Sequence, residues 1–517
     1  MQVLLALAQA AGGVVSRADI EQSVWPGRVV TDDAVTNAVV KLRKALRDNP
    51  RQPKVVETIA KRGYRLLVQP DFAAAPEPEH RAPLAPRQKK AVFALVLLLS
   101  AAISVLLVRF VSNSGEPSPP LPHSAPSIAV IPLETLGGSD SQGYFAQGIT
   151  LDLITELSRV DGLLVISPGT AFQYRDINVD HRQIRAETGV SYLVRGGVQR
   201  SGDRLRVNIR LVETASGRTL WADRFGGGQE QVFEIQDRLV SGIADALRQQ
   251  LGQRFATPKR DAITRSIAAY DAFLRGQESY GRLTPDDNRE ARAHFEHAIG
   301  LDPGFSRAYA GLALTWSRKA VDGWTSTPEM ALAKAIDLAA KASDLDPDIP
   351  QVHFVKAQVE LFRRHHELAA AAASEAIKLN PNYADAYALL AWIFHYAGRP
   401  DQALPVMQEA LKRNPSSPAS YHQTAGEIHF TARRYRQAST EFQVTLAKNP
   451  AHMRARLWLA ATHLKLDQRD QAMWEAQEVL GIYPDFSLSQ LPHAFPFKDP
   501  RQLATLEEAL RQLGLPE

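Results

Sequence analysis

Basic and amide side chains recurring at helical spacing are the first residues in this chain whose types could do chemistry. From Thr31 to Arg47, Val35, Ala38, Val39, Leu42 and Leu46 repeat with a helical period and predict a buried stripe. The opposite face carries Asn37, Val40, Lys41, Lys44 and Arg47, with Thr36 and Arg43 on its flanks. Lysines and arginines on one face neutralise phosphates. An amide near the helix start can pair with an adenine edge, and a small aliphatic side chain can pack on a thymine methyl. Further on, KVVETIAKRGYRLLV reads as two short strands joined at Lys61, Arg62 and Gly63, a cationic hairpin tip suited to a minor groove. The chemistry implied is recognition of double-stranded DNA, not bond making.

Bond-making constellations are missing from the sequence. There is no cysteine, which excludes thiolate nucleophiles, thiolate zinc sites and iron–sulfur clusters. HExxH, GxSxG and GK[ST] do not occur, and neither His294 with His297 nor His365 with His366 has a third ligand at sensible spacing. The strand SIAVIPL followed by Gly137, Gly138 and Gly143 has the order of a phosphate-cradling loop. The pattern is not GxGxxG, however, and Pro132 and Glu134 stand where phosphate oxygens would lie, so it reads as a plain strand-to-helix connection. Neither an enzyme nor a cofactor is called for.

The elements that must position the basic face follow from length and charge. A chain of 517 residues divides into several domains. Residues 1–90 carry 15 Lys and Arg against 9 Asp and Glu, whereas the remainder carries 45 against 47, so only the head is built to meet a polyanion. From Ala91 to Val108 eighteen residues run without a charge, enough to span a bilayer as a helix, and Phe110 and Val111 extend the run. Arg81, Arg87, Lys89 and Lys90 precede it, while the twenty residues that follow hold only the charges Arg109 and Glu116, which places the N-terminus in the cytoplasm and exports the rest. Proline-rich tethers flank the span.

Behind it, residues 127–252 alternate between strand and helix patterns and predict an α/β domain: strands at SIAVIPL and Leu163 to Ser167, then Tyr192 to Arg200, Arg204 to Thr214 and Thr219 to Phe225. Helices are expected at Tyr144 to Ser158, His181 to Thr188 and along Val232 to Leu251. The last stretch is a repeat array. Prolines 303, 347, 381, 415, 450 and 484 are spaced by 44, 34, 34, 35 and 34 residues, the tetratricopeptide period, with ten extra residues expected as a loop from Ala320 to Glu329. Stacked helix pairs curve into a groove lined by the first helix of each pair. By register it includes Phe354, Gln358, Phe362, Asp385, Trp392, His395, Tyr396, His422, His429, Phe430 and Arg454. A protein or peptide ligand would fit there, and titrating histidines would make its binding acid-sensitive.

These strings carry resemblances. VVSRADIEQSVWPGRVVTDDAVTNAVVKLRKAL with NPRQPKVVETIAKRGYRL resembles the OmpR/PhoB-type winged helix-turn-helix domain. That resemblance implies a recognition helix from Thr31 to Arg47 in the major groove and a wing tip at Lys61 to Gly63. The family usually begins with a small sheet ahead of the first helix, whereas this chain enters partway along that helix: either its start is assigned too late or part of the core is missing, and in the second case the wing is expected to lose the sheet it would pack against. SIAVIPLE with GYFAQGITLDLITELS, then YLVRGGVQRSGDRLRVNIRLVE, resembles the TolB-amino-terminal-like module. The expected architecture is multidomain: an α+β winged helix over 1–70, a linker over 71–90, a transmembrane helix over 91–111 and a linker over 112–126. An α/β domain over 127–252, an all-α tetratricopeptide solenoid over 268–486 and a cap over 487–517 complete it. The combination resembles CadC/ToxR-like membrane-integrated transcriptional regulators, which implies heads pairing as a homodimer on DNA, with RNA polymerase as a further partner. An envelope scaffold acting through its repeats is the alternative.

Overall fold

The structure is a computed structural model. It describes residues 2–10, 12–24, positions 35, 38, 39, 42, 43, 46 and 48, then 53–59, 63–68, 126–136, 143–175, 179–201, 204–252, 264, 266–282, 284–491 and 495–517. The apolar run 91–111 lies outside these residues. Among the described residues no helix is long and apolar enough to cross a membrane.

The head packs α1 (Gln2–Gln9) and α2 (Arg17–Val24) against a three-stranded sheet ordered β1 (Val14–Val15), β3 (Gly63–Leu66), β2 (Val56–Ile59). Its core holds Val3, Leu7, Ile20, Val35, Val39, Val56, Tyr64 and Leu66. The N-terminus of α2 is a reciprocal cap: Asp19 N–H donates to Ser16 Oγ at 3.2 Å and Ser16 N–H to Asp19 Oδ2 at 3.3 Å. The wing does have a sheet partner within the chain, because β1 pairs antiparallel with β3. Gly63 makes that possible. Its φ is +138°, and a Cβ there would stand 2.0 Å from the Val15 carbonyl oxygen.

Residues 126–252 form a mixed sheet ordered β6 (Leu164–Val165), β4 (Ser127–Val130), β7 (Tyr192–Ser201), β8 (Arg204–Glu213), β9 (Thr219–Gly228), with β5 (Glu134–Thr135) beside β7. Residues 205, 207, 209 and 211 of β8 point to one face and are buried, while 204, 206 and 210 point to the other and are exposed. α3 (Gly143–Leu157) and α5 (Val232–Leu251) cover the buried face. α4 (His181–Thr188) covers one end of the other, over a small core of Ile131, Ile166, Ile184 and Leu193.

The array has six helix pairs between Ile267 and Ile482, closed by a final helix, Pro500–Gln512. The small residues that allow close approach, Ala357, Ala369, Ala376, Ala391, Ala403, Ala410, Ala438, Ala460 and Ala472, are all fully buried. The ten-residue insertion is not simply a loop. Ser306–Val321 and Pro328–Leu345 are three and four residues longer than Pro350–Phe362 and His366–Leu379, and the turn between them is three longer.

The α/β domain and the first repeats share one core. Ile128, Leu153 and Leu239 belong to the same buried cluster as Tyr270, Phe273, Phe295 and Phe305. Asparagines that end repeat phrases seal the joint. Asn382 accepts from Val165 N–H at 3.0 Å and donates to the carbonyls of Ser158 and Leu163 at 3.0 and 2.9 Å, and Asn414 accepts from Thr170 at 2.8 Å. Arg307 adds ion pairs to Asp152 and Glu156 at 3.3 and 2.7 Å.

Candidate functional site

The head's helical stripe is as expected at Val35 and Val39, which are buried, whereas Leu46 is 38 % exposed and lies beyond the core. Of the residues assigned to DNA, Arg43 is a correction. Its side chain is buried and donates to the Val56 carbonyl at 2.9 Å and to Thr58 Oγ1 at 2.8 Å. It therefore fastens the helix to the wing through Nε and Nη2. Asp48, also buried, accepts N–H bonds from Lys54, Val55 and Val56 at 2.7, 3.1 and 2.7 Å, pinning the start of β2 below the same helix. A buried guanidinium and a buried carboxylate, each bonded to the backbone of the wing, set the angle between helix and wing. Thr36, Asn37, Val40, Lys41, Lys44, Arg47, Lys61 and Arg62 lie outside the described side chains.

The repeat groove is the second correction. Its first-helix residues do converge, but the chain's own C-terminal segment occupies the part of the groove around His395, Tyr396 and Arg454. Phe497 packs on Tyr396 and His395, with ring centroids 4.8 and 5.2 Å apart, and Phe495 on Trp458 at 5.9 Å. Backbone bonds seat it: Lys498 N–H donates to the Tyr396 carbonyl at 2.9 Å, and the Pro496 carbonyl lies 2.7 Å from His366 Nε2. Tyr396, His395 and Phe430 are thus buried, Trp392 is half-buried, and Asp385 is engaged by the Tyr421 hydroxyl at 2.6 Å. Phe354 and Phe362 are half-buried against Tyr383 and Trp392. Gln358 accepts from Ser317 at 2.7 Å.

Under the plug sits a charged network. Arg454 pairs with Glu427 at 3.1 Å, bonds the Tyr396 hydroxyl and lies 4.2 Å over the Phe495 ring. Burial pushes the Glu427 carboxyl well up and the Arg454 guanidinium down to about 9. A hydrogen bond from the Gln423 amide opposes the shift at Glu427. His395 stands 3.5 Å from Glu427, and burial, with Arg454 beside it, holds its imidazole down to about 3. Burial also lowers His429, and His422 is held between Ser417 and Glu441 at 3.1 and 2.8 Å. His395 stays neutral across the range in which a free imidazole titrates, so the acid-sensitive groove read from histidine content does not hold at that residue. What sequence reasoning missed was the plug. An aromatic pair two residues apart, beyond the last repeat proline, was its only signal.

Residues 1–66 match the family described as transcriptional regulatory protein, C terminal, and residues 354–418 and 424–485 match the tetratricopeptide repeat. The chain is 35% identical over 246 residues to "Putative adenylate cyclase 3" of Rhizobium meliloti, covering 47% of this chain and 41% of that one. It is 24% identical over 330 residues to "Transcriptional activator CadC" of Escherichia coli, covering 54% and 62%. Over 70 residues it is 40% identical to "Cholera toxin transcriptional activator" of Vibrio cholerae, covering 13% and 24%. The chain thus spans less than two thirds of the length of these relatives. Residues 1–66 thus match the transcriptional-regulatory C-terminal family ahead of matches to tetratricopeptide repeats, in a chain similar to CadC/ToxR-type transcriptional activators.

Proposed function

We propose that this protein is a membrane-anchored, one-component transcriptional regulator whose winged helix binds duplex DNA under the control of an exported α/β and repeat module. The observation that carries it is the head itself. Its family match coincides with a folded three-stranded sheet, and Arg43 and Asp48 lock the helix to the wing at a fixed angle. Asn37, Val40, Lys41, Lys44 and Arg47, with Thr36 beside them, are the reading face, and Lys61 and Arg62 the wing tip. The similarity to the adenylate cyclase supports a modular reading: the match is far longer than the head, so most of it lies in the region behind, which is compatible with a different output. The shared core between sheet and repeats makes that region a single input body, so a signal reaches the head through its position or pairing, not through a hinge inside it.

A mobility-shift assay with full-length protein and the DNA upstream of its own operon tests this. Lys44→Ala with Arg47→Ala should weaken binding about tenfold or more and lower the salt slope by about 2. Unchanged affinity and slope would overturn the assigned face. Protease added to intact spheroplasts should cleave the repeats, and their full protection would overturn the topology.

A further inference from the structure

Alternation along β8 sends Leu205, Val207, Ile209 and Leu211 into the core and Arg204, Arg206, Asn208 and Arg210 to the opposite face. Across the register Arg195 of β7 stands directly opposite Arg210, and Arg224 of β9 opposite Asn208. Like charges directly opposite on one face cost stability unless something neutralises them. Among the described residues, no carboxylate is bonded to any of these three guanidiniums. Arg195 donates to the Val179 carbonyl at 2.5 Å, its Nε is buried without a hydrogen-bond partner there, and Arg224 donates to Asn208 at 2.9 Å. Burial, and next the neighbouring Arg210, lower the Arg195 pKa, against a smaller opposite pull from Asp180 and Glu134.

The same residues border a cleft of about 880 Å³ at the end of the sheet face that α4 leaves bare. Its floor is small, with Gly197 and Ala222 between the arginines, and its apolar wall is Ile131 and Tyr174 at the rim of the small outer core. The negative groups bordering it are Glu134 on β5 and Asp223. The latter falls on the opposite face by register and accepts from Arg224 N–H at 2.7 Å. A Cβ at Gly197 would meet the Leu136 side chain at 2.7 Å, so a larger residue there would push that side chain aside. A half-open depression of this size can take a small molecule, and planar guanidiniums on adjacent strands suit forked oxyanions.

We propose that the uncovered face of this sheet binds a small anion carrying two or more carboxylate or phosphate groups, held by Arg195, Arg210 and Arg224. The ligand sits on the exported body, so under the regulator reading it is the kind of signal the protein senses. The binding claim does not require that reading, and no DNA enters its test.

Isothermal titration of the full-length protein in detergent, with citrate and pyrophosphate in separate arms, should give a Kd below about 1 mM for at least one of them. The arm that binds tells carboxylate from phosphate. Arg210→Gln and Arg195→Gln should each weaken it about tenfold or more, whereas Arg248→Gln, on an exposed helix face paired with Asp245, should leave it unchanged. Melting of the ligand-free variants no lower than wild type shows that they fold. Binding of neither anion, binding that ignores both substitutions, or Arg210-dependent binding of poly-glutamate without binding of either small anion would each overturn the proposal. DNA binding that persists in any of these cases leaves the regulator reading intact.

Discussion

The repeat groove and the bare end of the β-sheet are both concave surfaces, and they invert what their compositions suggest. The groove holds aromatics and histidines of the sort that grip peptides, yet Phe495 and Phe497 of the same chain occupy the part of it around Tyr396 and Arg454, with His395 buried beneath them. The sheet face holds arginines that read as solvated charge, yet it is the surface left open, with two guanidiniums opposed and none paired to a carboxylate among the described residues. Aromatic richness at repeat register signals burial as readily as binding. Like charges kept opposite one another on an open face are the more informative sign, because packing gives no reason for them.

The largest effect that could break this contrast is removal of the plug. Phe497 is fully buried against Tyr396 and His395, so Phe497→Ala should cost about 3–5 kcal/mol in chemical denaturation of the repeat-bearing body. A loss under about 1 kcal/mol would mean that the segment does not occupy the groove in solution. The second test is pH. The His395 imidazole is held down to about 3 in the folded protein, so the unfolded chain binds its proton more readily. Its contribution to stability is complete above about pH 6.5 and is lost as pH falls toward 3, amounting to about 3 kcal/mol between pH 7 and pH 4. Glu427, whose carboxyl is pushed up, acts in the opposite sense, so the measurement compares wild type with His395→Phe, whose acid loss should be smaller by that amount. Equal acid sensitivity would place His395 in water.

How much of this was legible follows from what each signal depends on. The helix His181–Thr188 came directly from its sequence, since Asp180 caps it and Gly189, at φ +72°, ends it. Strand β8 was legible because a half-buried strand alternates. Strands β1 and β5, of two residues each, gave no period to find. Arg43 was misread because a guanidinium on a basic helix looks solvated until its backbone acceptor, thirteen residues on, is in place. Asn382 and Asn414 looked like turn residues, and only the packed sheet shows what their amides bond. Tertiary partners of polar side chains are the information a linear pattern lacks.

A third test separates the filling of the groove from the winding of the repeats. The turn between paired helices needs one left-handed residue, supplied by Gly398 at φ +78° but by Arg364, Arg433 and Asp467 at the equivalent places, at φ +65°, +58° and +58°. A side chain there costs about 1 kcal/mol relative to glycine. Arg433→Gly should accordingly stabilise the array by roughly 0.5–1 kcal/mol without altering the acid sensitivity assigned to His395. Loss of stability would show that the Arg433 side chain has a packing role.

The smallest effect falls on the sheet face, and there the sign is what matters. If the pull of Asp180 and Glu134 on Arg195 does not cancel its opposition to Arg210, Arg210→Gln removes a repulsion and costs no packing, because Arg210 is exposed. Ligand-free stability should rise by a few tenths of a kcal/mol at low salt, and the gain should shrink as salt screens the pair. An ordinary solvated surface arginine would show no salt-dependent gain, and a structural one would show a loss. A residue whose removal stabilises the empty protein is maintained for something other than the fold, and a cleft lined by such residues is where a ligand is to be sought before the filled groove.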